Sequence, residues 1–215
     1  MTHLNDEYSV RLITKLESLN LRSRTKIDLD EIKKAMIFAK EYHGEQKRDS
    51  GEPYYSHPAA VCELVADCRF KTDVLVASLL HDVVEDTIAT VEIVQKEFGW
   101  RVAQMVEGLT RIKLGKKVSS EEILRILYEH EDKEAMTVKI CDRIHNMQTI
   151  GAKSEEKQRI TIKETLRSYT LLAIYLDISG IERQIYQLCD YRRNISIVKL
   201  AYNDKFSVFT SNLLK

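Results

Sequence analysis

Glycine and proline are scarce in this chain: seven and two, respectively, in 215 residues. With so few forced turns, and with long stretches of Leu, Ile, Lys and Glu, the composition argues for a mostly helical protein with short connections. An excess of charge is also missing, because 33 basic residues balance 33 acidic ones. No global field therefore favours nucleic acid or an acidic membrane, although a local basic pocket remains open. No apolar stretch is long enough to cross a bilayer, and Met1–Glu7 has neither the basic start nor the apolar run of a secretory leader. The four cysteines, Cys62, Cys68, Cys141 and Cys189, show no C-x-x-C spacing and read as small buried residues of a reducing compartment. No repeat period is present. A single cytoplasmic domain is the expectation.

Caps and periodicity then divide the chain into helices. Val10–Leu21 is amphipathic, and Asp28 with Glu31 resembles a capping box for a helix reaching about Tyr42, with Ile32, Ala35, Met36 and Ala39 inward. Residues 44–56 read as a loop, and Pro58 suits the first position of a new helix, placing His57 at its start. The nearly continuous apolar run from Asp73 to Val84 predicts a helix buried on most of its circumference. Thr90 is expected to cap a helix ending at Gly99, and Ser119 with Glu122 another containing Ile123–Tyr128. A helix from Glu134 to about Ile150 puts Val138, Asp142, His145 and Thr149 on one face. A long helix from Ser154 through Leu172 and a last one over Ile181–Leu188 follow. The fold class expected is all-α.

Chemistry-bearing residues concentrate in three places. His57 stands in Tyr55-Ser56-His57-Pro58, His81 and Asp82 in Leu80-His81-Asp82-Val83-Val84-Glu85-Asp86, and Asp142 in Cys141-Asp142-Arg143-Ile144-His145-Asn146-Met147. Three carboxylates and a histidine at the end of so apolar a helix demand a compensating cation or hydrogen bonds. Two imidazoles and two carboxylates form a mixed N/O set suited to a divalent ion of intermediate hardness, which points to a metal-dependent phosphohydrolase. Helical spacing sets Glu85 one turn after His81 and Asp86 one turn after Asp82, so a second pair can reach the water beside a metal held by the first. Arg143 is expected to pair with a nearby carboxylate. His3, His43 and His130 read as surface or packing histidines, and His145 as structural.

The order His, His-Asp, Asp resembles the motif of the HD phosphohydrolases, whose fold is a helical bundle. The stretch Gln46-Lys47-Arg48-Asp49-Ser50-Gly51-Glu52-Pro53-Tyr54-Tyr55-Ser56-His57-Pro58 is similar to the hydrolase-domain signature of the RelA/SpoT homologues. So are Leu79–Thr87, Val106-Glu107-Gly108-Leu109-Thr110 and Lys139–Met147, in the same order along roughly Leu29–Leu188.

The resemblance implies one metal ion, typically Mn2+, on His57, His81, Asp82 and Asp142, with Glu85 and Asp86 acting on the attacking water. It implies Arg48 against a guanine base and Asn146 and Thr149 on the nucleoside. The implied reaction is removal of pyrophosphate from the 3′ position of ppGpp or pppGpp, leaving GDP or GTP. Basic residues near Arg48 and along Arg111–Lys117, including Lys113, Lys116 and Lys117, are candidates for offsetting the substrate's charge. Many members carry a basic residue after the matching arginine, where this chain has Asp49, so a weaker phosphate contact is expected. Residues 1–195 read as the hydrolase domain with trailing connector helices, and 196–215 as a tail expected to be disordered. No room is left for a synthetase domain, and no synthetase activity is expected. A binding module without turnover and an HD phosphohydrolase of another nucleotide stay open as alternatives.

Overall fold

The computed structural model describes residues 4–110, 112–113, 116–178 and 180–191. Among these the regular elements are helices, apart from one two-stranded antiparallel hairpin, Ile112–Lys113 (β1) with Lys116–Lys117 (β2). The all-α expectation holds. Two compact units divide the chain, Met1–His145 and Asn146–Lys215.

In the first unit, α1 (Glu7–Arg22) starts at Asp6, whose carboxylate accepts from the Ser9 amide at 3.0 Å. The helix buries Leu12 and Leu16. At the start of α2 (Leu29–His43), Asp28 takes the amides of Asp30 and Glu31, and Ile32, Ala35, Met36 and Ala39 are buried as the pattern requires. The α2 helix stops at Gly44, whose φ of 51° an L side chain rarely adopts.

The loop that follows is closed rather than loose. Arg48 N donates to the Glu52 carbonyl at 2.9 Å and Tyr54 N to the Gln46 carbonyl at 2.8 Å, pairing Lys47 with Pro53. The next helix, α3, spans Ser56–Cys68, so Pro58 sits at its third position instead of its first. Proline is still tolerated there, because the first-turn amides have no partner within the helix.

The hub of this unit is α4 (Thr72–Leu80), whose residues Val74 to Leu80 are all buried; α2, α3 and α6 pack on it. The predicted continuous helix to Val84 is instead broken: His81 and Asp82 form a turn, and α5 (Val83–Asp86) resumes after it. Both turn residues keep right-handed backbone angles, and Asp86 N still reaches the Asp82 carbonyl at 2.9 Å, so the one-turn offset between the two acids survives the break.

Thr90 caps α6 (Val91–Leu109), which continues past the predicted end. Gly99, with φ of 83° and ψ of 170°, does interrupt it, but a second helical segment with Val102, Ala103, Met105 and Val106 buried follows directly. Ser119 caps α7 (Ser120–Glu129) through the Glu122 amide, and α8 covers Lys133–Gln148. The α8 helix ends before Thr149, which precedes a 3₁₀ turn over Ile150–Ala152. Thr149 is therefore not on the α8 face where periodicity placed it.

In the second unit, the single long helix expected from Ser154 is divided into α9 (Glu155–Glu164), a π-helical turn over Thr165–Tyr169, and α10 (Thr170–Leu176). The wider turn accommodates fully buried Tyr169. Ile181–Tyr191 forms α11, on which Ile185 and Cys189 are buried. All four cysteines are free, three of them buried and Cys68 partly exposed. The side chains of Arg111, Lys113, Lys116 and Lys117, and residues 196–215, lie outside the described residues. No helix among the described residues is long and apolar enough to cross a membrane.

Candidate metal centre

Four side chains from three separate segments meet within the first unit. His57 enters from the first turn of α3, His81 and Asp82 from the turn between α4 and α5, and Asp142 from α8. His57 Nε2 lies 3.2 Å from Asp142 Oδ1 and 3.4 Å from Asp82 Oδ2, while His81 Nε2 lies 3.2 Å from Asp82 Oδ1 and 3.9 Å from Asp142 Oδ1. Ligand atoms of His57, His81 and Asp142 all fall within 4.8 Å of one another, and all three residues are buried.

The donor set fits a cation. His81 Nδ1 donates to the Ser78 carbonyl at 2.8 Å, which turns Nε2 toward the cluster, where a cation that displaced its proton would meet a lone pair. That Nε2 is buried and has no hydrogen-bond partner. An unmet buried polar atom beside two carboxylates is the arrangement a divalent ion would complete.

Electrostatics agree. Burial works against charge on His81, yet the Asp82 and Asp142 carboxylates overcome it and raise the imidazole to about 9. Burial likewise opposes charge on Asp82 and Asp142. His81 and His57 outweigh it at Asp82, and Lys139 with the two imidazoles at Asp142, so both are held below the usual carboxylate range. The cluster thus draws positive charge inward.

Around these four lies a supporting layer that sequence reasoning missed. His145, read as a structural histidine, places Nδ1 2.8 Å from His57 Nδ1, with ring centroids 4.9 Å apart. Burial, then the neighbouring positive charges of His57 and Arg48, push its pKa down to about 3, which keeps it neutral. Lys139, almost fully buried, sets Nζ 3.4 Å from Asp142 Oδ2. Its i, i+3 spacing from Asp142 was a readable signal. Arg143 donates to Ser120 Oγ at 3.3 Å.

Tyr54 was quoted in the signature stretch but given no task. Its hydroxyl donates to Asp86 Oδ2 at 2.6 Å and lies 3.0 Å from Asp82 Oδ2. His43, another histidine read as bland, stacks on the Tyr54 ring at 4.5 Å and bonds Gln46 Oε1 at 2.9 Å; Gln46 Nε2 in turn reaches the Asp86 carbonyl at 2.8 Å.

Of the remaining expected site residues, Glu85 and Asp86 stand on α5 directly after the cluster, with Asp86 exposed and Glu85 half-buried. Burial raises the Asp86 pKa, the Tyr54 hydrogen bond lowers it, and the charges of Asp82 and Glu85 raise it further, for a net rise. The Arg48 guanidinium lies 6.0 Å from the Tyr54 ring centre. Asn146, at the end of α8, and Thr149 belong to the second unit.

Residues 35–179 match the HD domain family. The chain is 41% identical over 159 residues to a guanosine-3′,5′-bis(diphosphate) 3′-pyrophosphohydrolase of Aquifex aeolicus, covering 73% of this chain and 23% of that protein. It is 39% identical over 181 residues to the bifunctional (p)ppGpp synthase/hydrolase SpoT of Escherichia coli, covering 80% and 26% respectively. The chain thus spans about a quarter of the length of these relatives. A solved structure described as a metazoan ortholog of SpoT that hydrolyzes ppGpp superposes with a TM-score of 0.57 at 24% identity, over 75% of this chain and 95% of that one, which shows a shared fold.

Proposed function

The chain belongs to the HD domain family, and from that premise we propose that it is a metal-dependent hydrolase removing pyrophosphate from the 3′ position of ppGpp or pppGpp. The buried His57, His81 and Asp142 group, with its unmet His81 Nε2, is the observation that carries the reading. Similarity to proteins named for this reaction supports the substrate class.

The reading assigns the metal to His57, His81, Asp82 and Asp142, and takes manganese as the ion from the resemblance to the RelA/SpoT hydrolases; a mixed imidazole and carboxylate set is compatible with it. A divalent cation there supplies Lewis-acid chemistry, neutralising phosphate charge and raising the acidity of water. Asp86, held by Tyr54, and Glu85 orient the attacking water and accept its proton. The water oxygen bonds to the phosphorus attached to the ribose 3′ oxygen; that oxygen departs and takes a proton, giving GDP or GTP and pyrophosphate. Arg48 stacks on the guanine, and Asn146 and Thr149 hold the nucleoside.

Hydrolysis is the activity proposed, with residues 1–195 as its module and the cytoplasm as its location. Purified protein given Mn2+ and ppGpp should release pyrophosphate, and Asp82→Ala should not, while keeping its helical circular dichroism. Binding of ppGpp without release would favour a module that lacks turnover. Preference for another nucleotide would keep the HD assignment and remove the alarmone.

A further inference from the structure

We infer that Tyr54 is a positioning residue: its hydroxyl fixes the Asp86 carboxylate beside the metal ligand Asp82, in the place from which Asp86 meets the attacking water. The inference deepens the hydrolase reading and rests on it for its purpose. The contact itself rests on geometry alone.

A phenol has one proton to give. The 2.6 Å contact to Asp86 Oδ2 is in the range of a charge-assisted O–H···O⁻ bond, so the proton goes there, while the same oxygen lies 3.0 Å from Asp82 Oδ2. One hydroxyl thereby ties an otherwise exposed carboxylate on α5 to the ligand-bearing turn before it. Without that tie, the Asp86 side chain is left to solvent beside the like charges of Asp82 and Glu85.

The ring that carries the hydroxyl is itself held on several sides. His43, 2% exposed, stacks on one face with an interplanar angle of 21°, and His57 meets the ring edge-on at 6.2 Å between centroids. The Tyr54 amide is fixed to the Gln46 carbonyl at 2.8 Å, and the Gln46 side chain grips the Asp86 carbonyl at 2.8 Å. Backbone and side chain of Asp86 are therefore both fastened to the 46–54 loop, which also presents Arg48 near the Tyr54 ring. Arg48, His57 and Asp86 are thus all carried on, or fastened to, residues 46–57.

Tyr54→Phe removes only the hydroxyl and keeps the ring for His43 and Arg48. With Mn2+ and ppGpp, kcat should fall about tenfold to a hundredfold while KM stays within about threefold. Mn2+ affinity by calorimetry should change far less than kcat. A structural role alone would move KM and metal affinity together with the rate, and either that pattern or an unchanged kcat overturns the inference. A second measurement needs no turnover: a double-mutant cycle of urea unfolding on metal-free wild type, Tyr54→Phe, Asp86→Ala and the pair. Coupling of about tenfold or more in the folding equilibrium is expected for a hydrogen bond to a charged group, and absence of coupling refutes the contact. Wild type that releases no pyrophosphate would defeat the hydrolase reading, and with it the catalytic purpose of Tyr54, while the cycle would still decide whether Tyr54 holds Asp86.

Discussion

Replacing His145 by alanine should weaken Mn2+ binding although His145 is not among the four proposed ligands. The reasoning starts from the 2.8 Å separation between His57 Nδ1 and His145 Nδ1, which requires one donor and one acceptor. If His57 presents Nε2 to the metal, its proton must sit on Nδ1 and be donated, so His145 Nδ1 must be the bare acceptor. His145 satisfies that condition because burial, with His57 and Arg48 nearby, pushes its pKa down to about 3 and keeps the ring neutral near pH 7. His57 is 2% exposed, so the alanine variant leaves its Nδ1–H buried without a replacement partner. Loss of such an orienting partner lowers metal affinity by about tenfold to a hundredfold, or roughly 1.4–2.8 kcal/mol. Isothermal titration of metal-free protein with Mn2+ measures it directly, and His145→Gln, which restores an acceptor, should recover part of the loss. Equal affinity in wild type and His145→Ala would refute the tautomer argument.

Two further outcomes follow from other parts of the fold. Asp6→Asn, which keeps the cap of α1 but removes the charge paired with Lys40 at 2.6 Å, should destabilise the protein by about 0.5 kcal/mol at neutral pH. Burial raises the Asp6 pKa, but Lys40 and Ser9 outweigh it and leave it lowered. Its stabilisation is therefore present above the usual aspartate range and lost as pH falls through the lowered folded value, so urea midpoints of variant and wild type should converge in acid. Asp49→Lys, which puts a cation beside Arg48 on an exposed position, should lower KM for ppGpp several-fold at low salt with little change in kcat. Added salt should erase the difference.

Helix caps were the part of the fold most open to reading from sequence. Asp28, Thr90 and Ser119 each accept the amide bonds their spacing implied, because capping is a local event that needs only a few residues. The interruptions were harder to see. The His81–Asp82 turn keeps near-helical angles, so hydrophobic periodicity runs through it, and Gly99 reads as an end although a new helical segment begins at once. At the site, the residues proposed as ligands stood out in the sequence by type and order, and His57, His81, Asp82 and Asp142 do converge. Of their supports only Lys139 left a signal, three residues before Asp142 on one helix, because His145, Tyr54 and His43 act through tertiary neighbours that spacing alone does not reveal. An isolated histidine or tyrosine has no sequence signature for the atom it will face.

The most direct test of the central claim is 31P NMR of ppGpp incubated with Mn2+-loaded protein in 18O-labelled water. Attack of water on the phosphorus attached to the ribose 3′ oxygen predicts resonances of GDP and pyrophosphate, with the label in pyrophosphate and none in GDP. Unchanged ppGpp resonances in the presence of demonstrated binding, release of orthophosphate, or label in GDP would contradict it.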